Sequence, residues 1–439
     1  MLRFGTVFVA TGVLALAAPL FAQSPTGNVS VTADFFPNRA NTGELRARVF
    51  AEQVFDPTPR LLITASGFAE GLLARRPGPP DFVPASVADA AARLVDASVD
   101  YQGPRFDLLA GFTRVAWGRL DELQPTDVVN PLDASQFFFA SRSEARLPVA
   151  LVRLRGHLAE NASVEGVYVP FFRRGRFDQL DEPTSPFNLE SAFTPDIRGA
   201  CLPDGCPTLL PLVIQRRNPA RTFASAQGGA RFNATTGRVD WSVAVYRGLE
   251  PFGIARSAAL PSPPVPYVPI DVVHPRFTMI GADFETVRGE WGLRGEVAAF
   301  VDDNFQAPSL QVLTGHSVDA GFGVDRKAGD YRLAATALLH REAYDQVLDP
   351  LSDAARGRSD ITLILSGDRT FARERYGLRT FGVYNARESS GFLRAIATAR
   401  LSDDVALEGS GGWFIGAGRD LVGRFSDSDF VYVRLKYYF

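Results

Sequence analysis

The chain has 439 residues, of which 46% are hydrophobic and 22% are charged, and its formal net charge at pH 7 is -3. This hydrophobic content excludes a disordered chain, which has few apolar residues and a high net charge. A nucleic-acid-binding protein needs a basic excess that this chain lacks, so we expect no nucleic-acid partner. A helical membrane protein needs repeated apolar runs of about 20 residues, and the sequence has no such series.

The first segment, residues 1–22, has the features of a secretory signal peptide. Arg3 supplies a positive charge, residues 7–20 form an apolar stretch, and Ala22 is a small residue before the expected cleavage site. The alternative, an N-terminal transmembrane anchor, needs a longer apolar run. The sequence therefore predicts a mature domain of residues 23–439 that leaves the cytoplasm.

The remaining sequence alternates between apolar and polar residues in short runs. In the run 404–417, Leu407 and Trp413 fall on one face of a strand, while Glu408 and Ser410 fall on the other. The run lengths match tilted strands that cross an outer membrane. The pattern predicts about eighteen strands, with sixteen as the alternative, at 28–36, 44–54, 60–70, 92–101, 105–117, 147–159, 162–172, 221–233, 237–248, 275–287, 289–301, 314–327, 329–343, 359–372, 374–388, 390–402, 404–417 and 427–439.

The connections between these runs alternate in length. The long ones occupy 71–91, 118–146, 173–220, 249–274, 302–313 and 344–358. A soluble β-sandwich also alternates along its strands, but it gives no reason for connections to alternate, whereas outer-membrane barrels have short periplasmic turns and long external loops. The predicted fold class is all-β: a transmembrane antiparallel up-and-down β-barrel in the bacterial outer membrane, surrounded by outer-membrane lipid.

The long connection after the fifth run begins with the motif W-G-x-x-D-x-x-x-P-x-D-V-V-N-P-x-D at 117–133. Its Pro, Asp and Asn residues favour turns, so we expect an ordered loop that packs into the lumen. The motif resembles one found in a group of uncharacterised porin-like outer-membrane proteins, which are broadly similar to alginate-export barrels. This resemblance implies an outer-membrane barrel without a defined substrate. The candidates for a loop constriction, which alternatively only cap turns, are Trp117, Asp121, Asp127, Asn130 and Asp133.

The only two cysteines, Cys201 and Cys206, lie five positions apart in the connection 173–220. In an oxidising compartment this spacing predicts a small loop disulfide. A metal site would need further ligands, and none lies nearby in the sequence. We therefore expect no metal and no cofactor.

Cationic residues fall on the polar face of many runs. If the apolar face contacts lipid, the opposite face lines the pore, where guanidinium groups would favour anionic solutes. The alternative is that these cations pair with acidic residues and only brace the wall. The candidate pore-lining residues are Arg46, Arg48, Arg153, Arg155, Arg294, Glu296, Arg332, Arg394, Arg400, Arg434 and Lys436.

The last run ends in alternating aromatic and aliphatic residues. Leu435, Tyr437 and Phe439 fall on one face, which we expect to contact lipid, with the two aromatic rings at the membrane interface. This ending resembles the terminal strand of bacterial outer-membrane barrels. The resemblance implies that the barrel-assembly machinery recognises the strand.

These patterns favour a passive, porin-like channel for small polar and anionic solutes. The alternative is a non-conducting adhesin or structural barrel, with the loops 173–220 and 249–274 as contact surfaces. Enzyme motifs for a serine nucleophile or a phosphate-binding loop are absent from the sequence, so we do not expect an enzyme.

Overall fold

The computed structural model describes residues 24–40, 42–76, 85–134, 142–176, 185–187, 212–258, 268–306, 311–346, 357–416, 420 and 422–439. The predicted signal peptide at 1–22 and the predicted disulfide between Cys201 and Cys206 lie outside these residues, so both stay predictions.

Strands dominate the described residues, with one four-residue helix, α1, at Arg142–Ala145. The strands are Thr26–Phe35 (β1), Gly43–Thr58 (β2), Leu61–Arg76 (β3), Ala85–Gln102 (β4), Phe106–Thr113 (β5), Val149–Ala159 (β6), Ala162–Val169 (β7), Leu212–Arg217 (β8), Gln227–Thr236 (β9), Val239–Leu249 (β10), Ile254–Ser257 (β11), Val268–Val273 (β12), Arg276–Arg288 (β13), Trp291–Gln306 (β14), Val312–Ala328 (β15), Tyr331–Tyr344 (β16), Gly357–Phe371 (β17), Tyr376–Asn385 (β18), Ser390–Arg400 (β19), Val405–Ile415 (β20) and Phe430–Tyr438 (β21).

Eighteen of these strands form one closed antiparallel barrel. Each barrel strand pairs with the next one along the chain, and β21 pairs back onto β1. Gly27 and Phe439 close the seam, since their backbones exchange two hydrogen bonds of 3.0 and 3.1 Å. The predicted fold class is therefore confirmed, with eighteen strands rather than the alternative of sixteen.

The strand bounds differ most from the sequence prediction at β3 and β4. The predicted run at 92–101 corresponds to a strand that begins at Ala85, and β3 continues to Arg76. The extra length of β4 is rich in alanine, which gives little contrast between the two faces of a strand. The hydrophobic pattern alone therefore placed these residues in a loop.

A second, small sheet is separate from the barrel sheet and was not predicted. It contains β8 from the connection between β7 and β9, and β11 and β12 from the connection between β10 and β13. β12 pairs with β8 in parallel and with β11 in antiparallel orientation. These strands have four to six residues, too few for a period of two to be read from the sequence.

Among the described residues, most of the buried apolar side chains belong to two large clusters, and two smaller ones lie at Leu72 with Ala74 and at Phe305 with Leu313. One cluster joins β5, β6, β7, β10, β13 and β14, and includes Trp117 and Val129 from the loop after β5. The other joins β19, β20 and β21 and includes Phe187 from the loop after β7. No helix in the described part of the chain is long and apolar enough to cross a membrane.

Candidate functional site

Residues 114–134, which we call the inserted segment, cover part of the inner face of the barrel. The segment leaves β5 and contacts Glu165 on β7, Asp283 on β13 and Arg379 on β18. These three residues lie on the inner faces of strands that are spread over about half of the ring. The segment therefore runs through the interior of the barrel.

Glu296, on the inner face of β14, holds the first turn of the inserted segment. Its carboxylate accepts hydrogen bonds from the backbone N–H groups of Arg119, Leu120 (2.6 Å) and Thr126 (3.3 Å), and from the Thr126 hydroxyl (3.0 Å). The segment covers Glu296, which is only 5% exposed. A buried carboxylate that accepts several N–H groups is strongly bound, so Glu296 fixes the segment to the wall.

Trp117 and Asp127 hold the segment from its other side. The indole Nε1 of Trp117 donates to Glu165 at 2.8 Å, and the Trp117 ring is 1% exposed. Asp127 accepts a hydrogen bond from Nε of Arg146 at 2.7 Å, just after α1. Trp117 and Asp127, both candidates from the sequence motif, are therefore buried where the inserted segment meets the residues around it.

Asn130 and Asp133 complete the attachment of the segment. The Asn130 amide accepts from the Val115 N–H at 2.8 Å and donates to the Leu147 carbonyl at 2.8 Å. Asp133 forms an ion pair with Arg176 at 3.4 Å. These contacts join the two ends of the segment to each other, to Leu147 before β6 and to Arg176 after β7.

Glycines in the wall make room for the segment. A Cβ at Gly321 would lie 2.4 Å from a Leu120 methyl group, and one at Gly281 would lie 2.8 Å from the Thr126 methyl group. Any larger residue would push the segment inward. Sequence analysis missed these positions, because glycines within a strand do not reveal what approaches them.

Asp121 forms the exposed tip of the inserted segment. Its carboxylate lies 3.0 Å from the guanidinium of Arg294 and 3.1 Å from that of Arg332, and its side chain is 41% exposed. The next residue, Glu122, forms an ion pair with Arg379 at 2.5 Å. The structure thus brings together Asp121 and two of the candidate pore-lining arginines, at the point where the segment faces open space.

The wall of β2 and β3 carries cations on its inner face. Arg46 lies 3.1 Å from Glu44 and 3.7 Å from Glu70, so two carboxylates neutralise it. The guanidinium of Arg48 instead lies 3.8 Å from the centre of the Phe68 ring. Among the described residues no carboxylate lies within 4.0 Å of Arg48, so its charge is not neutralised by a direct ion pair.

The neighbouring wall of β19 to β21 extends this basic surface. Arg434 and Lys436 share a single carboxylate, Glu408, at 3.2 and 3.3 Å. Arg394 is buried and donates to two neutral groups, including the Tyr432 hydroxyl at 2.7 Å. The cations on this wall therefore outnumber the carboxylates that contact them.

The remaining candidates from the sequence lie apart from this surface. Arg155 forms an ion pair with Glu165 at 2.7 Å, beside the inserted segment. Arg153 lies on the same face of β6, two residues closer to the end of the strand that leads to the long loops. Arg400 is exposed at the short-turn end of β19.

A group of titratable side chains lines the inner face near the long loops. Both ring nitrogens of His340 face carboxylates, Nδ1 at 2.6 Å from Asp319 and Nε2 at 3.0 Å from Glu342. Two such contacts require a proton on each nitrogen, so the geometry fits a charged imidazolium. In the part of the chain that the structure describes, no group of three or more His, Cys, Asp or Glu side chains is arranged to hold a metal ion.

Phe187 lies at the centre of a ring cluster that we call the aromatic socket. Phe187 comes from the long connection after β7, whereas the socket lies almost opposite to β7 on the ring, and the backbone carbonyl of Pro186 accepts from the Ser428 hydroxyl at 3.2 Å. Sequence analysis missed this residue, because one phenylalanine in a long loop has no periodic pattern around it. The socket consists of Phe36, Phe392, Phe414, Phe425, Phe430 and Tyr432.

Glu250 and His274 meet in the connection between β10 and β13. His274 Nδ1 lies 2.7 Å from the backbone carbonyl of Glu250, and the Glu250 carboxylate accepts from the Phe252 N–H at 3.3 Å. Burial, with a smaller contribution from Asp303, raises the pKa of Glu250 to about 7. Burial also lowers the pKa of His274. This connection therefore carries a carboxyl group that titrates near neutral pH.

The outer face of the barrel is apolar and exposed on every side. Val245 on β10, Leu333 on β16 and Leu365 on β17 are 45%, 63% and 63% exposed, and each lies between inward-facing neighbours in its strand. A closed barrel has no unpaired strand edge, so this surface can face hydrocarbon without a hydrogen-bonding cost. The chain is an outer-membrane β-barrel.

Comparison with known proteins finds similarity among solved structures only. No family model and no curated protein matches the chain. Among solved structures, OccK7 (OpdD) of Pseudomonas aeruginosa is 8% identical, with 94% of this chain and 97% of that chain covered and a TM-score of 0.49. OmpF of Salmonella typhi, in complex with daunomycin, is 9% identical, with coverages of 95% and 97% and a TM-score of 0.45. The assignment of this outer-membrane barrel rests on its own strand pairings.

Proposed function

We propose that this outer-membrane barrel is a passive channel for small polar solutes and prefers anions. The observation that carries the proposal is Arg48, an inward-facing cation on the wall opposite the inserted segment with no carboxylate within 4.0 Å among the described residues. A cation in a narrow, partly desolvated passage attracts anions from a distance, because low-dielectric walls focus its field.

The distribution of charge supports this preference. The acidic tip of the inserted segment is neutralised, since Asp121 faces both Arg294 and Arg332. On the opposite wall Arg434 and Lys436 share one carboxylate. A solute that passes between the segment and this wall therefore meets an excess of positive charge.

Acidic sugars are the solutes that we propose to test first. Their carboxylates match the planar guanidinium groups of Arg48 and Arg434, which bind two oxygens at once. The resemblance of the motif at 117–133 to alginate-export barrels favours the same class of solute. In this proposal the inserted segment narrows the passage. Its buried residues Trp117 and Asp127 do not touch the solute but hold the segment in place.

We also propose that β21 is the strand that the barrel-assembly machinery recognises. Leu435, Tyr437 and Phe439 are exposed on the outer face of this strand, beside the seam with β1. A polar residue in place of Phe439 should lower the yield of folded barrel in the outer membrane. Normal yield for that variant would contradict this part of the proposal.

Reversal potentials in planar lipid bilayers test the channel. With a KCl gradient, we expect the wild-type protein to conduct with a preference for chloride, and galacturonate to reduce the current more than galactose does. Arg48→Gln should weaken both effects, and Arg434→Glu with Lys436→Glu should shift selectivity toward cations. Arg341→Gln, which removes an outward-facing arginine, is the matched control and should change neither.

Two results would overturn the proposal. A folded protein that inserts into the bilayer without conducting would exclude a channel and favour the adhesin or structural alternative. A wild-type channel without a preference for chloride, or a reversal potential that is the same for wild type and Arg48→Gln, would overturn the proposal that Arg48 makes the channel prefer anions.

A further inference from the structure

The outer face of the barrel carries two arginines near the long loops, on neighbouring strands. Arg247 on β10 is paired with Thr278 on β13, and Arg276 is paired with Leu249, so the two arginines are diagonal neighbours on one face. They share that face with the exposed residues Val245 and Ile280, which contact lipid lower in the wall. A cation costs about 2 to 4 kcal/mol at the membrane midplane and close to zero at the interface, so this height suits them.

Neither of these arginines is neutralised by the protein. Arg247 donates to the Thr278 hydroxyl at 2.6 Å, and Arg276 donates to the backbone carbonyls of Ala224 and Ala226 at 2.5 and 3.2 Å. In the described ranges, no Asp or Glu oxygen lies within 4.0 Å of either guanidinium. Two cations with only neutral partners, fixed side by side, form a ready site for an anion.

An exposed aromatic ring lies next to these cations. Phe223 is 76% exposed and belongs to the short turn whose carbonyls accept from Arg276. Its ring centre lies 6.4 Å from that of Phe171, which is also exposed. Exposed aromatic rings are unfavourable in water but favourable at the boundary between headgroups and acyl chains.

We propose that Arg247, Arg276 and Phe223 form a binding site for a phosphorylated glycolipid of the outer leaflet. The guanidinium groups hold the phosphate, and the Phe223 ring packs against the first carbons of the acyl chains. The long loops of an outer-membrane barrel face the outside, so this end of the wall meets the external leaflet, whose lipid is a glycolipid that carries phosphate. The site is independent of conduction, because its side chains lie on the opposite face of the wall from the pore.

Native mass spectrometry of the detergent-solubilised barrel tests the site. Bisphosphorylated lipid A is the probe, and dephosphorylated lipid A and phosphatidylglycerol are the comparison lipids. We expect wild type to bind bisphosphorylated lipid A most tightly. The variant with Arg247→Gln and Arg276→Gln should bind it about 30-fold more weakly, the factor expected from two interfacial cations. Both proteins should bind dephosphorylated lipid A weakly.

Arg369→Gln is the matched control. Arg369 also faces outward and lies 4.5 Å from the ring of Tyr331, but at the short-turn end of the wall. This variant should bind lipid A as wild type does. Arg247→Gln alone loses one exposed hydrogen bond, so it should fold normally and bind about fivefold more weakly. Heat-modifiable migration on gels confirms that each variant is folded.

Unchanged binding of bisphosphorylated lipid A by Arg247→Gln and by the double variant would overturn the proposal. Equal affinity of wild type for phosphatidylglycerol and lipid A would also overturn it, because any anionic headgroup would then suffice. An equal loss in Arg369→Gln would show that outward-facing charge acts without a site.

Discussion

Two loops enter the barrel, and they are held by opposite kinds of contact. The inserted segment packs Trp117 and Val129 into the core, but its distinctive attachment is polar, chiefly the N–H groups that point at Glu296. Phe187 is held mainly by packing, because its ring lies against four rings of the aromatic socket, with ring centres 5.6 to 6.1 Å apart. The polar attachment is directional and fixes one geometry, whereas the aromatic attachment depends on buried area and tolerates small shifts.

Glu296→Ala should have the largest effect, because it removes the main polar attachment of the inserted segment. It leaves buried backbone N–H groups of the inserted segment without an acceptor, and each costs about 1 to 3 kcal/mol. The segment should leave the wall, so that single-channel conductance and current noise both increase while the barrel stays folded. Glu342→Ala removes an inner-face carboxylate that does not touch the segment, and it serves as the control. If the Glu296→Ala channel had the conductance and the low current noise of wild type, other contacts would be sufficient to hold the segment on the wall.

Phe187→Ala should come next. Truncation of a buried phenylalanine costs about 3 to 5 kcal/mol, and here the loss falls on the docking of one loop. We expect faster proteolysis in the connection between β7 and β9, with an unchanged melting temperature for the barrel. Phe322→Ala removes a ring that faces lipid and should leave this rate unchanged. Equal protection of the loop in wild type and Phe187→Ala would mean that the socket does not hold it.

Asp121→Asn tests the polar attachment at the exposed tip of the inserted segment. Exposed ion pairs contribute about 0 to 1 kcal/mol each, so the segment should stay in place. Arg294 and Arg332 would lose their shared counter-charge, and the reversal potential should move further toward that of chloride. Glu290→Gln, which removes the partner of Arg326 on the outer face, is the control. A shift toward cations would contradict the placement of Asp121 beside the passage.

The smallest effect concerns pH. The only titratable side chain that we assign to the aromatic socket is Tyr432, and a tyrosine ordinarily titrates at about pH 10, so the protection of Phe187 should not change between about pH 5 and pH 8. The pKa of Glu250 is raised by burial from 4.5 to about 7, so the folded connection between β10 and β13 favours the protonated form. Its stability is therefore greatest below pH 4.5 and decreases as the pH rises through about 7. Hydrogen exchange of residues 250–258 should accelerate over this range, and Glu250→Gln should abolish the change.

The sequence predicted the barrel well because alternation is a local property. Leu407 and Glu408 reveal opposite faces of β20 without any knowledge of its neighbours. The same alternation placed Glu296 on the inner face, but it could not show that the inserted segment covers this carboxylate. The contact joins residues 170 positions apart in the case of Thr126 and Glu296. Turn-forming residues indicated an ordered loop, and only the fold shows which wall it meets.

Phe187 and the site of Arg247 and Arg276 could not have been predicted in this way. Phe187 lies in a long connection without periodicity, and its neighbours come from four separate parts of the chain. Arg247 and Arg276 look like ordinary polar residues at strand ends. Their shared outward face follows only from the register between β10 and β13.

The small sheet of β8, β11 and β12 has a consequence for recognition by other molecules. β8 and β12 come from different connections, yet their main chains pair from Leu212 opposite Val268 to Arg217 opposite Val273. An antibody against this sheet would recognise a discontinuous epitope, which no linear peptide from either connection reproduces. Immunisation with the folded barrel, and not with peptides, is therefore the route to antibodies against this sheet.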